Sequence, residues 1–510
     1  MRLVAIAVAV LAGAAQGVPL RGLTGAGQLA RVYDTIFDAR FEQVAEELRK
    51  ACPPAPDEVC RVLEAVSLWW QIQLDPNNLS LDPVFHEAVD TAIEDAEAWA
   101  AREPQRAEAW FYLGGAYGAR VQWRVLRGER LAAARDGKRI KDALERALAI
   151  DPEMHDAWFG IGLYHYYADV APSAAKVLRW LLFLPGGDRV KGLEEMLRAR
   201  DEGTLMRSEA DYQLHVIYLW YEQKPERALE LLDALRLRHA ENPHFRQRIA
   251  EVQDVYMHDP TASLRSWRAL FDAARQHKVS RPEFAEAQAR LGMALQLDRL
   301  FETDGAIDHL RAVVGADPVA PWGAVAQAQF QLGAALDRMG RREEAIAAYQ
   351  ADIAGTPPDD PLDLRDRARA ALRRGPDATT ATAYRLSIEG WRALEKGDLD
   401  EAQAAIEESL ALRPRDPVTR YRQARLLQAQ KDDEGALKVL EAIVGARDVT
   451  PATIYAFACV DAARLLEQRG FRARAIDLYR TARDVFGADQ RTKDAASRAL
   501  TRLVPLTRQR

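Results

Sequence analysis

Apolar and small residues recur along most of the chain with the spacing of paired amphipathic helices. In "FQLGAALDRMGRREEAIAAYQADIAGTP", Leu332, Gly333 and Leu336 mark one helical stripe, Ala345 and Tyr349 a second, and Pro357 closes the unit. "GWRALEKGDLDEAQAAIEESLALRP" repeats the layout through Gly390, Ala402, Ile406 and Pro414. The same offsets return at Ala424, Leu427, Ala436 and Leu440, and again at Ala463, Leu466, Ala475, Tyr479 and Ala482. In each unit a small residue on the first helix, helix A, lies 12 residues ahead of an alanine on the second, helix B, as Gly333 does before Ala345. Small residues at such a pair let the two helices approach closely, while large apolar residues fill the ridges between neighbours. The pattern predicts an all-α chain, an α-α superhelix of about 10 to 11 helix-turn-helix units.

Further upstream, "AEAWFYLGGAY" carries Trp110, Leu113, Gly114 and Tyr117, and "ALERALAIDP" carries Leu144, Ala147 and Pro152. "DAWFGIGLYH" then opens the next unit with Trp158, Ile161, Gly162 and His165. These residues resemble the tetratricopeptide repeat, a helix-turn-helix unit of about 34 residues. The resemblance covers most of residues 30 to 490 and implies a solenoid.

Three consecutive units depart from it. The small-position pairs Val66/Ala92 and Gly114/Ile140 are 26 residues apart, and Gly162/Gly192 are 30 apart, against 12 elsewhere. Units 2 to 4 therefore carry insertions between helices A and B, and insertions at equivalent places in stacked repeats emerge on one edge, where they are expected to touch. A different alignment, with an ordinary extra helix pair in the stretch, is the alternative. In "GIGLYHYYADVAPSAAKVLRWLLFLPGGDR", Gly160, Gly162 and His165 belong to helix A, Pro172 suits the first turn of an inserted helix, and Pro185-Gly186-Gly187 ends it. Asp188 is a natural N-cap for the following helix B. Gly160, Gly162, Pro172, Gly187, Asp188, Arg189, Gly192 and Leu193 also resemble a segment, residues 158–193 here, of the mitochondrial outer-membrane tetratricopeptide family linked to inclusion-body clearance. That likeness implies a structural module and no particular chemistry, and the family lacks the export signal this chain carries.

The signal is "MRLVAIAVAVLAGAAQGVPL". Arg2 precedes an apolar run from Leu3 to Ala12, and Ala12/Ala14 and Ala15/Gly17 fit small-x-small cleavage sites. The reading is an exported protein of the periplasm or cell envelope; an uncleaved amphipathic first helix is the alternative. The expected organisation is a signal peptide at 1–17, an N-terminal array with insertions at 27–204 and a middle array at 205–357. A linker with a short charged helix at 358–383, a C-terminal array at 384–490 and a basic end at 491–510 follow. Cys52 and Cys60 bracket "PPAPDEV", where a local disulfide and two buried thiols are both open readings; Cys459 reads as a core thiol.

Composition adds exclusions. A hydrophobic content of 48%, a charged content of 29% and a net charge of −6 describe a soluble, folded chain without the field that favours nucleic acid. The nine histidines are scattered with no HExxH, no paired Cys-x-x-Cys and no G-x-S-x-G, so no catalytic, metal-binding or cofactor-binding residue is expected. "LGGAYG" lacks the strand a dinucleotide loop needs. Lysines are too few to show the carboxylate clamp that some tetratricopeptide domains use.

Seven of the 11 tryptophans fall between Trp69 and Trp180, so the candidate binding residues are Trp123, Arg124, Tyr164, Tyr166, Tyr167 and Trp180. Arg120, Arg124 and Arg127 read either as solvated or as partners for an acidic ligand. "KVLRWLLFLP" reads as extra core, as a surface for a partner or for peripheral membrane contact, or as the lining of a ligand cleft. The expected function is a non-catalytic exported scaffold for a protein or peptide, without cofactor and of undefined oligomeric state. The alternative is an envelope protein holding a small molecule or lipid in an apolar pocket formed by the insertions.

Overall fold

The computed structural model describes residues 20–170, 186–358 and 360–504. These residues hold 24 α-helices and no β-strand, with most helices packing on the next in sequence. Two compact units divide the chain, Met1–Leu214 and His215–Arg510, and the boundary falls inside one helix.

Unit 1 opens with α1 (Ala26–Phe37), α2 (Phe41–Ala51), α3 (Asp57–Leu74) and α4 (Asp82–Arg102). It continues with α5 (Ala107–Leu126), α6 (Arg130–Ile150), α7 (Trp158–Val170), α8 (Arg189–Glu202) and α9 (Arg207–Trp220). Odd-numbered helices are the A helices of successive repeats. The four helices α3 to α6 have 18, 21, 20 and 21 residues, against 12 and 11 for α1 and α2. The extra residues of repeats 2 and 3 therefore lengthen both helices of the hairpin. The reason is that the apolar period runs on without a break: Trp69, Trp70, Ile72 and Leu74 on α3 and Phe85 and Val89 on α4 are all buried.

The two extensions touch. Trp123 packs on Phe85 and His86 with ring centroids 6.2 and 4.1 Å away. Arg127 grips the Asp82 carboxylate through Nε and Nη2 at 2.7 and 2.9 Å and donates from Nη1 to the Pro76 carbonyl at 2.7 Å. The helix expected at Pro172–Leu184 in repeat 4, with Trp180, lies outside the described residues.

The small positions do what the pattern requires. A Cβ on Gly114 would meet Leu144 at 2.7 Å, one on Gly333 would meet Tyr349 at 2.6 Å, and one on Gly390 would meet Ile406 at 2.7 Å. In repeat 4 the approach is backbone to backbone. A Cβ on Gly162 would stand 2.7 Å from the Gly192 carbonyl oxygen, and one on Gly192 would stand 2.6 Å from the Gly162 oxygen and 2.7 Å from the Tyr166 nitrogen. Cys52 and Cys60 are joined by a disulfide across the α2–α3 turn, with 6.5 Å between their Cα atoms. The Cys459 thiol is buried, and burial pushes its pKa up to about 11.

Unit 2 runs on from α10 (Pro225–Arg238) to α24 (Gln490–Leu503) in the same hairpin order. The short helix Leu364–Arg374 buries Leu364 and Ala368, so the compact unit continues through the proline-rich and acidic stretch at 358–383. The unit also folds back on itself. Asp259 Oδ2 accepts from the Gln490 backbone N–H at 2.9 Å, and the His258 and Phe486 rings lie 4.9 Å apart. Arg422 Nη2 donates to the Phe301 carbonyl at 2.9 Å, and the Thr303 and Tyr384 hydroxyls are 2.7 Å apart.

Candidate functional site

Side chains from the A helices of four repeats, α1, α3, α5 and α9, meet in unit 1. Tyr212 of α9 packs edge-on against Trp70 of α3, ring centroids 4.9 Å apart, and its hydroxyl accepts from Gln73 Nε2 at 2.6 Å. Gln213 Nε2 donates to Gln122 Oε1 at 2.7 Å, and Gln122 Nε2 donates in turn to Glu209 Oε1 at 3.4 Å. Gln122 reaches across above two glycines of α5, whose lack of side chains leaves room among the described residues. Gly115, Gly118 and Gln122 share one stripe; a Cβ on Gly115 would touch only Val62, at 3.7 Å, and one on Gly118 would meet nothing within 4 Å. The turn that delivers α9 is held by Asp156, whose carboxylate accepts the backbone N–H groups of Thr204, Leu205 and Met206 at 2.9, 2.8 and 2.8 Å.

Glu209 is 6% exposed, and burial pushes its pKa up to about 7 against the hydrogen bond from Gln122, which favours the charged form. Burial likewise raises the Tyr33 phenol, with Glu209 and Asp156 adding to the effect. Tyr112 is 1% exposed, and its hydroxyl has no hydrogen-bond partner. Its pKa is raised first by burial and then by Tyr33, Glu108 and Asp156. Tyr33 itself is half-buried, so the cluster is open on the α1 side.

The shift at Glu209 has a sign that can be measured. With a folded pKa near 7 against 4.5 for the free group, the folded state binds more protons between those values, so stability falls as pH rises through them and levels off above. The full loss is roughly 3 kcal/mol by pH 8. Glu209→Gln removes it: urea unfolding should find the variant more stable than the parent at pH 8 by up to that amount, and equal to it near pH 4. Parallel pH profiles for the two proteins would mean that Glu209 ionises as a solvated carboxylate.

Family models of the tetratricopeptide repeat match residues 326–351 and 393–452, both in hairpins of unit 2. The chain carries tetratricopeptide repeats in these stretches. No curated protein matches its sequence. Among solved structures it is similar to a tetratricopeptide repeat protein from Parabacteroides merdae, at 14% identity over 57% of this chain and 97% of that one with a TM-score of 0.25. It is similar too to yeast Tom70, at 12% identity over 86% of this chain and 95% of that one with a TM-score of 0.25. The tetratricopeptide repeat domain of P58(IPK) is a third, at 14% identity over 76% and 99% with a TM-score of 0.23. Tetratricopeptide repeats build scaffolds for protein–protein interaction. Among the described residues no group of His, Cys, Asp and Glu could hold a metal ion, and no helix is long and apolar enough to cross a membrane.

Of the candidate residues from the sequence, Trp180 lies outside the described residues, and the other five are placed on α5 and α7. Trp123 is buried in the seam between α4 and α5, stacked on Phe85. Arg124 is committed to Asp136, as is Arg120, which binds Asp136 through Nε and Nη2 at 2.9 and 3.1 Å and Asp90 through Nη1 at 2.8 Å. With Arg127 on Asp82, all three arginines are neither solvated nor free for an acidic ligand, because the facing helices supply carboxylates at matching heights. Tyr164 is half-buried, with Lys141 Nζ 5.9 Å from its ring centre. Tyr166 is fully buried, and Tyr167 is half-buried with its ring 5.7 Å from that of Tyr166.

The inner cluster of this tetratricopeptide array, Tyr33, Trp70, Gln73, Tyr112, Gln122, Glu209, Tyr212 and Gln213, was not among the sequence candidates. One signal for it was present. "LGGAYGARVQ" places two glycines and a glutamine on a single A-helix stripe, where the repeat pattern asks for bulk.

Proposed function

We propose that the protein is an exported, non-catalytic scaffold of the cell envelope that holds a protein or peptide partner against the inner cluster of unit 1. The observation that carries this reading is the convergence of amides, phenols and indole from four repeats beside the glycine stripe of α5. Amide and phenol groups pair with the backbone of an extended or helical peptide, while the rings supply apolar contact at little entropy cost. Export is supported by the apolar run Leu3–Ala12 and by the Cys52–Cys60 disulfide, a bond that persists in oxidising compartments.

The reading is tested by placing a photo-crosslinking benzoylphenylalanine at Tyr33 in intact cells, with the same residue at Val449, a 73% exposed position in unit 2, as the control. A discrete protein adduct from position 33 and none from 449 is expected. Adducts of lipid or small-molecule mass at position 33, or equal capture at both positions, would reject it. Sequencing the mature N-terminus tests export separately, with cleavage after Ala14 or Gly17 expected.

A further inference from the structure

Among the described residues of unit 1 seven acidic side chains are buried: four make ion pairs, two accept backbone N–H groups at turns, and one does neither. Asp136 binds Arg120, Arg124 and Arg139. Glu108 binds Arg106 and receives the Thr24 N–H, and Asp211 binds Arg200 Nε at 2.6 Å. Glu195 has His165 Nδ1 at 2.7 Å and Lys191 Nζ at 3.6 Å. Asp151 accepts the Gly22 N–H at 2.8 Å, and Asp156 accepts the three N–H groups of the α8–α9 turn. The seventh is Glu209. Its hydrogen-bond donor among the described residues is the uncharged Gln122 carboxamide at 3.4 Å, and it makes no ion pair.

A carboxylate removed from water and met only by neutral donors is a costly arrangement, and the usual remedy in this same unit is an arginine. Nothing in the packing of α9 forces an acid at this position, since a glutamine would fill the same volume. The groups around it suit a cation. Tyr33 from α1, Trp70 from α3, Tyr112 from α5 and Tyr212 from α9 offer ring faces for an aliphatic stem or a guanidinium plane. The Tyr112 hydroxyl is sealed from solvent and unpartnered, a second polar group without an occupant.

Taking the inner cluster as the peptide-binding face proposed above, we infer that it recognises a basic side chain of the partner, lysine or arginine, with Glu209 as the anion that receives it. An arriving ammonium or guanidinium supplies the missing counter-charge, and the amide chain Gln213–Gln122–Glu209 holds the carboxylate in place. Tyr33 feels the charge of Glu209 and Asp156, Tyr112 that of Glu108 and Asp156, and Asp211, which holds Arg200, and Tyr212 follow Glu209 on α9. The Tyr33 and Tyr112 phenols are raised by burial and stay protonated through the neutral range, so Glu209 is the group that responds. Because the cation binds the ionised form, affinity rises as pH climbs from 6 to 8 and the proton is released on binding.

The test uses the full-length protein and four mixtures of acetylated, amidated heptapeptides. The central residue is lysine, arginine, norleucine or glutamine, and the other positions are randomised. Fluorescence polarisation is expected to show the lysine and arginine mixtures binding at least tenfold more tightly than the other two, with a preference that grows between pH 6 and pH 8. Glu209→Gln should abolish the preference, and Glu209→Asp should keep part of it. Cooperative thermal melts of both variants establish that they are folded. Equal binding of all four mixtures, or a preference that survives Glu209→Gln, overturns cation recognition and leaves peptide binding intact. Failure of every mixture to bind overturns the peptide-binding reading itself.

Discussion

Asp136→Ala is expected to destabilise unit 1 by about 3–5 kcal/mol, the usual cost of removing one partner from a buried ion pair. Asp136 has no exposed surface and sits in the stripe Ala133, Asp136, Ile140, Ala143 and Ala147 that α6 turns toward α5. Both its oxygens are occupied by Arg120, and Arg124 binds it as well. The Arg120 side chain is only 13% exposed. Without Asp136 that guanidinium keeps Asp90 alone, and Arg124 keeps a looser contact with Glu129 at 3.5 Å. The loss is therefore dominated by stranded positive charge rather than by the empty volume of a small side chain. Replacing Arg120 by methionine in the same chain removes one of the stranded charges and should recover part of the stability. Urea unfolding of the parent, the single and the double variant decides the matter. A single-variant cost below about 1 kcal/mol would place this seam with ordinary solvated ion pairs.

The second large effect concerns one methyl group. Gly162→Ala should destabilise by about 2–3 kcal/mol although alanine is the better helix former. The new Cβ would lie 2.7 Å from the Gly192 oxygen and 2.9 Å from the Met196 nitrogen, both backbone atoms that move only if α7 and α8 part. Gly118→Ala is the matched control: nothing lies within 4 Å of its Cβ, so only the propensity gain of up to about 1 kcal/mol remains. Opposite signs from the same substitution in neighbouring A helices are the expected result. Equal signs would mean that α7 and α8 are not packed backbone to backbone. The two variants can be compared by the same unfolding experiment.

That contrast also marks how far the sequence could be read. Gly162 and Gly192 were identifiable as a close-approach pair because the repeat pattern demands small residues at those offsets, whatever their separation. The conformation of the residues between such pairs was not, since counting 14 extra residues does not distinguish a third helix from two longer ones. The unbroken apolar period from Val62 to Leu74 was the better guide. The arginine stripe on α5 was visible as a stripe. Its partner Asp136 lies on another helix and reads locally as one more charge among "AARDGKR". Glu209 was the least legible of all. What makes it unusual is the company of Trp70 and Gln122, brought to it by the curvature of stacked repeats, and curvature is a sum of small rotations that no local period records.

The back-folding of unit 2 changes how that unit should come apart. In a stack joined only by nearest neighbours the outermost hairpin can leave without troubling the rest, so such arrays fray and unzip from their ends. Here Asp259 caps its own helix through Ala262 N at 2.8 Å and, with its other oxygen, the start of the last helix 231 residues later. Arg422 and Tyr384 tie the middle of the array to the turn at Phe301–Thr303 in the same manner. Losing the final helix and the turn before it therefore frees one oxygen of Asp259 and strips the Phe486 ring from His258, so its departure is felt at a hairpin far earlier in the chain as well as at the adjacent one. The unit behaves as an arch closed by its last stone, holding its length until it yields together.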